Sequence, residues 1–429
     1  MSIENIRKQD PEVADLIDKE LNRQREGLVM IPSENFASPA VLEAVGTVLT
    51  NKYAEGYPGK RYYTGAQYID EIETLAIERA KELFGAEHAN VQPHSGSSAN
   101  MEVYGALINT GDKVLGMNLA HGGHLTHGSP VNFSGKRYEF IPYGVSEKDE
   151  KVDMEEVRQL ALKERPKIVL CGTTAYPRKV EFEKFAAIAK EVNAYAFADI
   201  SHISGLCIAG AHENPVPSHD VVMTTTTKTL RGPRSAVIMC KKEDQYHDLY
   251  HPDEKKDLAG MIDFSVFPGM QGGPLEHVIA AKAVAFKEAM TEEYKAYQHQ
   301  IVKNAKALAD ELMNQGLRLV SNGTDTHLML IDCTDLGING KEGANKLAEL
   351  GIYGNMNMIP FDKGTPFKPF GIRLGTPALT SRGMKEEEMK KIGQIIAAVL
   401  KDVSDTNAQE NARKVVKELT DAFPLYPEL

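Results

Sequence analysis

The sequence contains no tryptophan, and its four cysteines (Cys171, Cys207, Cys240 and Cys333) are far apart. They form no CxxC pair and no spacing typical of zinc ligands, so the sequence predicts no metal site. Three of them lie in or beside apolar runs, which indicates buried free thiols. Basic residues are also outnumbered, with 49 Lys and Arg against 60 Asp and Glu and a net charge of -11. This balance argues against a nucleic acid or an anionic membrane as the main partner.

Long apolar runs and nucleotide-binding motifs are absent as well. The sequence has no run of about 18 apolar residues, which excludes a transmembrane helix. Its first residues, MSIENIRKQDPEV, are polar and mixed in charge, unlike a signal or transit peptide, so we expect a cytoplasmic protein. There is neither a Walker A motif nor GxGxxG to suggest a nucleotide. The 429 residues predict two or three domains, one of them large.

Short apolar runs alternate with helical patterns through the middle of the chain. The runs are Lys113–Leu119, Lys167–Cys171, Tyr195–Ala198, Val221–Thr225 and Ala236–Cys240. Continuous apolar strands separated by helices are typical of a mainly parallel sheet covered on both faces. Ligands of such sheets bind at the carboxyl ends of the strands, where we expect Asp199 and Lys228 to lie.

Helical patterns frame this region. Near the N-terminus, Asp10 and Pro11 begin a helix with an apolar stripe formed by Val13, Leu16, Ile17 and Leu21. A second helix is predicted from about Ile69 to Phe84, with Gly85 as its C-cap. A long helical stretch from Pro274 to about Leu312 bridges to a smaller α+β region. That region has a strand at Leu328–Ile331 and a late helix bearing Met389, Ile392, Ile396 and Val399.

The segment TTTTKTLRGPR, residues 224–234, places Lys228 between a predicted strand and a Gly-Pro turn. A partly desolvated lysine can lose its proton and attack the aldehyde of a cofactor. Asp199 follows the apolar run AYAFA, at a strand end. Beside a pyridine nitrogen its carboxylate would keep that nitrogen protonated, and the alternative is an ordinary cap of the next helix.

The segment QPHSGSSAN, residues 92–100, precedes a helical pattern. Backbone N–H groups and hydroxyls of Ser95, Gly96 and Ser97 would suit a phosphate at a helix N-terminus, although an ordinary serine N-cap gives the same pattern.

Two further segments carry candidate side chains. In AHGGHLTHG, residues 120–128, His124 suits stacking on a flat ring, whereas we expect His121 and His127 to be structural histidines. In GIRLGTP, residues 371–377, Arg373 could bind a substrate carboxylate through two hydrogen bonds or form an ordinary salt bridge.

Eight motifs occur in order: NKYAEGYPGKRYY, QPHSGSSAN, AHGGHLTHG, AYPR, the D-x-x-H of ADISHISG, TTTTKTLRGPR, FPGMQGGPLEH and GIRLGTPALTSRG. Together they resemble the serine hydroxymethyltransferase family over about residues 31–383, and the joint pattern is highly specific. The resemblance implies an α/β protein of fold-type I that uses pyridoxal 5'-phosphate. We expect an N-terminal helical arm (1–35), a large cofactor-binding domain with a mainly parallel seven-stranded sheet (36–285) and a small α+β domain (286–429).

The resemblance also implies roles at the cofactor. Lys228 falls at the Schiff-base lysine, Asp199 at the partner of the pyridine nitrogen and His124 at the ring-stacking histidine. The other positions that match cofactor contacts are His202 near the phenolic oxygen, Thr174, the phosphate-binding Ser95, Gly96 and Ser97, and, from the second subunit, Tyr53, Gly272 and Gly273.

At the substrates, the resemblance implies that Arg373 and Ser33 bind the amino-acid carboxylate. Glu55 matches the acid/base carboxylate, and Tyr63 matches a tyrosine lent by the partner subunit. Leu119, Gly123 and Asn357 match contacts to the pteridine of tetrahydrofolate. The expected reaction is one-carbon transfer between serine and glycine, in a homodimer or a tetramer with shared active sites.

Three positions depart from the family pattern. Thr227 stands where the family usually has His, Ser98 where it has Gln, and Met356 where it has Lys. The cofactor chemistry does not require these residues, but substrate preference could depend on them. A 2-methylserine hydroxymethyltransferase and a folate-free aldolase for threonine or related β-hydroxy amino acids therefore stay open, as does a non-catalytic binding protein of the same fold.

Overall fold

The protein is described by a computed structural model, which covers residues 3–428. Contacts divide the chain into two compact units. The larger unit comprises Ala37–Gln298, and the smaller unit combines Met1–Phe36 with His299–Leu429. The domain boundaries expected from the sequence, after residues 35 and 285, stay a prediction.

Helices account for most of the regular structure. In chain order they are α1 (Glu4–Gln9), α2 (Pro11–Glu26), α3 (Pro39–Val45), α4 (Gln67–Phe84), α5 (Gly96–Leu107), α6 (Phe133–Arg137), α7 (Met154–Glu164), α8 (Phe182–Glu191), α9 (Ser204–Ile208), α10 (His247–Tyr250), α11 (Leu258–Phe264), α12 (Glu276–Ala289), α13 (Glu292–Asn314), α14 (Gly340–Glu349), α15 (Pro377–Ser381), α16 (Glu386–Lys401) and α17 (Thr406–Ala422).

The strands are mostly short. They are β1 (Leu28–Val29), β2 (Gly56–Tyr57), β3 (Lys60–Arg61), β4 (His88–Asn90), β5 (Lys113–Met117), β6 (Glu139–Tyr143), β7 (Ile168–Gly172), β8 (Tyr195–Asp199), β9 (Val221–Thr225), β10 (Ala236–Cys240), β11 (Arg318–Leu319), β12 (Leu328–Asp332), β13 (Ile352–Tyr353), β14 (Asn355–Asn357) and β15 (Gly371–Gly375).

The larger unit is built around a seven-stranded sheet of order β4-β10-β9-β8-β7-β5-β6. Strands β5 to β9 run parallel to their neighbours in this order, whereas β10 is antiparallel to both β9 and β4. The predicted mainly parallel seven-stranded sheet is therefore confirmed. Every residue of β7, β8 and β10 is buried, which explains why their sequences are continuously apolar.

The predicted strands agree with the structure to within two residues at either end. Two strands were missed, and both lie at edges of the sheet. β4 has only three residues, two of them polar, and β6 is largely exposed with a proline inside it. Neither carries the continuous apolar run by which a buried parallel strand is recognised.

Helix α2 begins as predicted, because the Asp10 carboxylate accepts a hydrogen bond from the Val13 N–H at 3.1 Å. Its apolar stripe is not buried, however: Val13, Leu16 and Ile17 are all exposed, and Leu16 keeps 62% of its surface. The helix has the apolar face that the sequence predicts, but no part of the described chain covers this face. Helix α4 also matches its prediction, and Gly85 ends it in the left-handed conformation with φ of 71°.

The single helical stretch expected from Pro274 to Leu312 is wrong, because α12 and α13 are separate helices. The Thr291 hydroxyl accepts a hydrogen bond from the Tyr294 N–H at 3.2 Å and donates one to the Glu288 carbonyl at 2.8 Å. A threonine in this position caps a new helix, so the chain breaks between the two. α13 then runs across the boundary between the two units in sequence.

The smaller unit has a four-stranded sheet of order β11-β12-β15-β14 and a parallel pair, β1 with β13. The predicted strand at residues 328–331 and the predicted helix are confirmed as β12 and α16, with Met389, Ile392, Ile396 and Val399 buried. Arg382 ties the ends of this unit together by donating hydrogen bonds to the carbonyls of Gln24, Arg25, Gly27, Thr420 and Phe423.

Cys171, Cys207 and Cys240 are buried and free, as predicted, and Cys333 is buried and free as well. Among residues 3–428, no helix combines the length and the apolar character needed to cross a membrane.

Two buried titratable residues of the larger unit, Lys282 of α12 and Glu102 of α5, influence each other's pKa. Lys282 is buried and donates hydrogen bonds to the Val91 carbonyl, the Ser235 hydroxyl at 2.9 Å and the Ala236 carbonyl at 3.2 Å. Burial lowers the pKa of Lys282 to about 7. Glu102 is fully buried nearby, and its carboxylate oxygens meet no hydrogen-bond donor within the described chain. Burial raises the pKa of Glu102 to about 8, although Lys282 acts in the opposite direction.

We expect Glu102→Gln to stabilise the protein, and more so at pH 8 than at pH 5. Above the ordinary carboxyl pKa of 4.5 the unfolded chain releases this proton, whereas the folded chain keeps it until about pH 8. Folding is therefore penalised as the pH rises through this window, and glutamine removes the penalty. The gain in free energy of unfolding at pH 8 should be on the order of 4 kcal/mol, since one pKa unit corresponds to about 1.4 kcal/mol.

Urea unfolding at the two pH values measures this difference. The exposed Glu82→Gln serves as the control and should change stability equally little at both values. A gain for Glu102→Gln that does not grow with pH would contradict the prediction.

Candidate active site

Lys228 lies just after β9, in a tight turn at the carboxyl end of the strand. Its backbone has φ of 50°, in the left-handed region that a non-glycine residue adopts only under strain. Hydrogen bonds from Leu230 N–H to the Thr227 carbonyl at 3.0 Å and from Gly232 N–H to the Thr226 carbonyl at 2.7 Å close the turn. The Lys228 Nζ donates to the Thr225 hydroxyl at 2.9 Å. The lysine is therefore held at a defined position at the carboxyl end of β9.

Asp199 is the last residue of β8, the strand beside β9. The two predicted chemical residues thus come from neighbouring strand ends, as expected. Its Oδ2 accepts hydrogen bonds from Asn100 at 3.0 Å and His127 at 3.1 Å, and its Oδ1 accepts one from the Ser201 N–H at 3.1 Å. Burial acts to raise the pKa of Asp199, but His127 outweighs it and holds this pKa well below the usual range. The carboxylate therefore stays ionised although it is buried.

His124 is joined to Asp199 through a chain of polar side chains. Its Nδ1 lies 2.7 Å from the Thr126 hydroxyl, which in turn accepts a hydrogen bond from Asn100 at 2.7 Å. The His124 N–H donates to His127 Nδ1 at 3.3 Å. Asn100 and His127 thus contact both the aspartate and the segment that carries His124.

Sequence reasoning missed Asn100 and treated His127 as an ordinary structural histidine. His127 is indeed satisfied, but its partner is Asp199, so the two rings of one motif serve one site. Its spacing of three residues from His124 was a signal that could have found it. His121 does have a structural role, because its Nδ1 accepts a hydrogen bond from the Val145 N–H.

The predicted anion site lies at the start of α5. Ser95 is the N-cap, and its hydroxyl accepts from the Ser98 N–H at 3.3 Å while the Ser98 hydroxyl accepts from the Ser95 N–H at 2.9 Å. A Cβ placed on Gly96 would lie 2.7 Å from Cγ2 of Thr225. Only glycine therefore lets this helix start approach the end of β9. Thr225 contacts both Gly96 and Lys228, which brings the anion site and the lysine together.

Neighbouring loops carry the other predicted cofactor and substrate contacts of this region. The Thr174 N–H donates to the Gly122 carbonyl at 2.7 Å, so the loops after β7 and β5 are joined. Gly123 packs on β5, where a Cβ would lie 2.2 Å from the Met117 carbonyl oxygen. His202 is buried after β8, and Leu119 is exposed after β5.

A second cluster contains the predicted acid/base residue Glu55 and four residues that were predicted to act across a subunit interface, namely Tyr53, Tyr63, Gly272 and Gly273. The rings of Tyr53 and Tyr63 lie 5.3 Å apart, edge to face, and the Glu55 carboxylate raises the pKa of Tyr63. A Cβ on Gly272 would lie 3.1 Å from the Glu55 Oε1, and one on Gly273 would lie 3.0 Å from Cζ of Tyr53. Half of the Tyr53 surface is exposed, so this cluster faces outward on the isolated chain.

The remaining predicted substrate residues belong to the smaller unit. Arg373 lies in β15, and its Nε donates to the Asn355 amide oxygen on β14 at 3.0 Å. Burial lowers the pKa of Arg373 to about 10. Asn357 pairs with Gly371, and Ser33 is half-buried after β1. Arg373 and Asn357 therefore lie in the same sheet.

Comparison with known proteins agrees with this geometry. A family profile described as serine hydroxymethyltransferase matches residues 6–396. A protein from Koribacter versatilis (strain Ellin345), named serine hydroxymethyltransferase, is 55% identical over 425 residues, which are 99% of this chain and 96% of that protein. The family profile spans every predicted site residue. The chain therefore belongs to the serine hydroxymethyltransferase family and has its fold-type I architecture.

Proposed function

We propose that this protein is a pyridoxal-phosphate-dependent enzyme that interconverts serine plus tetrahydrofolate with glycine plus 5,10-methylenetetrahydrofolate. The observation that carries the proposal is the arrangement of Lys228, Asp199 and Gly96 around the adjacent ends of β8 and β9. Membership of the family over nearly the whole chain supports the same reaction, and no comparison favours the sister activities on 2-methylserine or threonine.

The residues present fit the cofactor. The Asp199 carboxylate stays ionised at the end of β8, and an ionised carboxylate there can accept a hydrogen bond from a protonated pyridine nitrogen and stabilise its charge. The start of α5 offers N–H groups to a phosphate, at a place where a Cβ would collide with β9. Lys228 provides the amine that binds the aldehyde. We propose that Ser95, Gly96, Ser97, Thr174 and His202 complete this site.

When bound, the cofactor withdraws electrons from the bond that breaks at Cα of the amino acid. Asp199 holds a proton on the pyridine nitrogen, since its own pKa lies too low for it to take that proton away. His124 would stack on the ring, and its position is fixed through Thr126 and Asn100. Lys228 would hold the cofactor through its side-chain amine.

The substrates require other residues of the chain. Arg373 and Ser33 bind the amino-acid carboxylate, and a guanidinium can do so through two parallel hydrogen bonds. Glu55 moves the proton of the serine hydroxyl, and Tyr63 lies beside it. Leu119, Gly123 and Asn357 contact the pteridine. None of these roles is assigned to the side chains of Thr227, Ser98 or Met356, and the substrate preference could still depend on them.

We propose a homodimer with shared active sites, in the cytoplasm, with Tyr53, Glu55, Tyr63, Gly272 and Gly273 reaching the partner's cofactor. Large apolar side chains that are exposed on the single chain support this assembly, because the buried core of an interface is apolar and rich in aromatic residues. They include Leu16 of α2 and, on the larger unit, Val48, Tyr62, Tyr68 and Leu75.

Asp199→Asn tests the role of the carboxylate. We expect the rate of serine cleavage to fall about 100- to 1,000-fold, because an amide cannot keep the pyridine nitrogen protonated. The matched control is Asp220→Asn, since Asp220 is also buried but precedes β9 and accepts a hydrogen bond from the Ala196 N–H at 2.8 Å. A folded Asp199→Asn protein with the parent's rate would refute this role.

Arg373→Lys tests the carboxylate site. A lysine offers no planar pair of donors, so we expect KM for serine to rise about 10- to 100-fold. Arg382→Lys is the control, because Arg382 is buried in the same unit but binds only backbone carbonyls in the contacts described above. This control should lower thermal stability and leave KM unchanged. If both variants raise KM equally, Arg373 does not bind the substrate.

Steady-state rates with serine, 2-methylserine and threonine, each with and without tetrahydrofolate, test the proposed reaction itself. We expect folate-dependent cleavage of serine to be the fastest of the six. Serine cleavage that ignores folate, together with fast cleavage of threonine, would instead indicate an aldolase.

A further inference from the structure

The turn that carries Lys228 is held from outside by helix α13. The Tyr294 hydroxyl donates to the carbonyls of Thr229 at 3.1 Å and Leu230 at 3.3 Å. The Gln298 amide donates to the same Thr229 carbonyl at 2.7 Å. Because Tyr294 and Gln298 are four residues apart, they lie on one face of the helix. Both are buried in the larger unit.

These donors satisfy groups that the turn cannot satisfy by itself. Thr229 and Leu230 are buried, and the hydrogen bonds within the turn engage the carbonyls of Thr226, Thr227 and Lys228 instead. A buried carbonyl without a donor costs free energy comparable to a lost hydrogen bond. The hydrogen bonds from α13 therefore stabilise the turn in this conformation.

The same turn is under backbone strain, which makes outside support necessary. Lys228 has φ of 50° and Arg231 has φ of 63°, and neither is a glycine. Left-handed residues of this kind persist only where surrounding contacts determine them. The two donors of α13 bind the two residues that lie between these strained positions.

Thr229 extends the support to the segment that follows Asp199, the last residue of β8. Its hydroxyl donates to the His202 carbonyl at 3.0 Å and accepts from the Gly205 N–H at 3.1 Å. Gly205 also makes room for Gln298, since a Cβ there would lie 2.5 Å from the Gln298 amide nitrogen. Helix α13, the lysine turn and the loop after Asp199 are thus joined through one threonine.

We propose that Tyr294 and Gln298 are positioning residues that fix the backbone of the Lys228 turn and so the place at which Lys228 holds its cofactor. The proposal rests on the proposed function for the identity of the cofactor. Neither residue is proposed to touch the substrate or the reacting atoms. Both act through the carbonyls of Thr229 and Leu230.

Two substitutions in the full-length protein test the proposal. Tyr294→Phe removes only the hydroxyl, and Gln298→Leu removes the amide at nearly constant size. The first readout is hydrogen–deuterium exchange of the amides of residues 230–232, which report the turn directly. The second is the rate at which bound pyridoxal phosphate is released, followed by its visible absorption.

Either substitution should speed both exchange and cofactor release about tenfold, as the loss of one buried hydrogen bond predicts. The matched control is Tyr143→Phe, because Tyr143 is also buried in the larger unit and its hydroxyl donates to a backbone carbonyl, that of Leu170, at 3.2 Å. This control should lower thermal stability comparably while leaving exchange at residues 230–232 and cofactor release unchanged.

Parent-like exchange and release in both variants would overturn the proposal, as would an equal effect of Tyr143→Phe on the turn. If the parent protein binds no pyridoxal phosphate, the proposed function fails. Exchange at residues 230–232 still decides whether α13 positions the turn, so the two failures are distinguishable.

Discussion

The candidate site depends on a carboxylate that is buried and yet ionised. Burial by itself would raise the pKa of Asp199, but His127 and Ser201 lower it, and Asn100 also donates a hydrogen bond to the carboxylate. Those donors come from α5, from the loop after β5 and from the loop after β8. The fold must therefore bring one helix and two loops together at the carboxyl ends of the strands. Asn100 and His127 also contact the segment that carries His124, so Asp199 and His124 are held by the same two residues.

At Lys228 the cost is backbone strain, whereas at Asp199 it is the burial of a charge. A left-handed residue after β9 turns the lysine back toward Thr225, against which the start of α5 is packed. The strain is opposed by contacts to α13 and to the loop after β8. The buried hydrogen bonds around the strand ends hold Asp199 and the lysine turn in place. With fewer of these hydrogen bonds, the two groups would be freer to move apart.

Much of this could be predicted from the sequence. The apolar runs revealed the parallel strands because β7 and β8 are buried throughout, and adjacent parallel strands necessarily place Asp199 and the lysine turn at one edge. The partners could not be predicted, because nothing in a periodic pattern tells that Asn100 or Gln298 will meet a residue far away in the chain. The exposed stripe of α2 has a similar cause: the pattern predicts an apolar face but does not say which chain covers it.

Local signals explain the other differences. The break between α12 and α13 was missed because Met290 and Thr291 fit within a helix, although a threonine followed by two glutamates is a pattern typical of a helix start. The strands β4 and β6 were missed because an edge strand does not need to be apolar on both faces.

The most direct test of the central claim is to identify the lysine that carries the cofactor. Protein incubated with pyridoxal phosphate is reduced with borohydride, digested and analysed by mass spectrometry. The account predicts that the reduced cofactor is found on the peptide that contains Lys228. The same peptide should carry it in any Asp199→Asn protein that still binds the cofactor. A cofactor attached mainly to another lysine, or to none, would contradict the account.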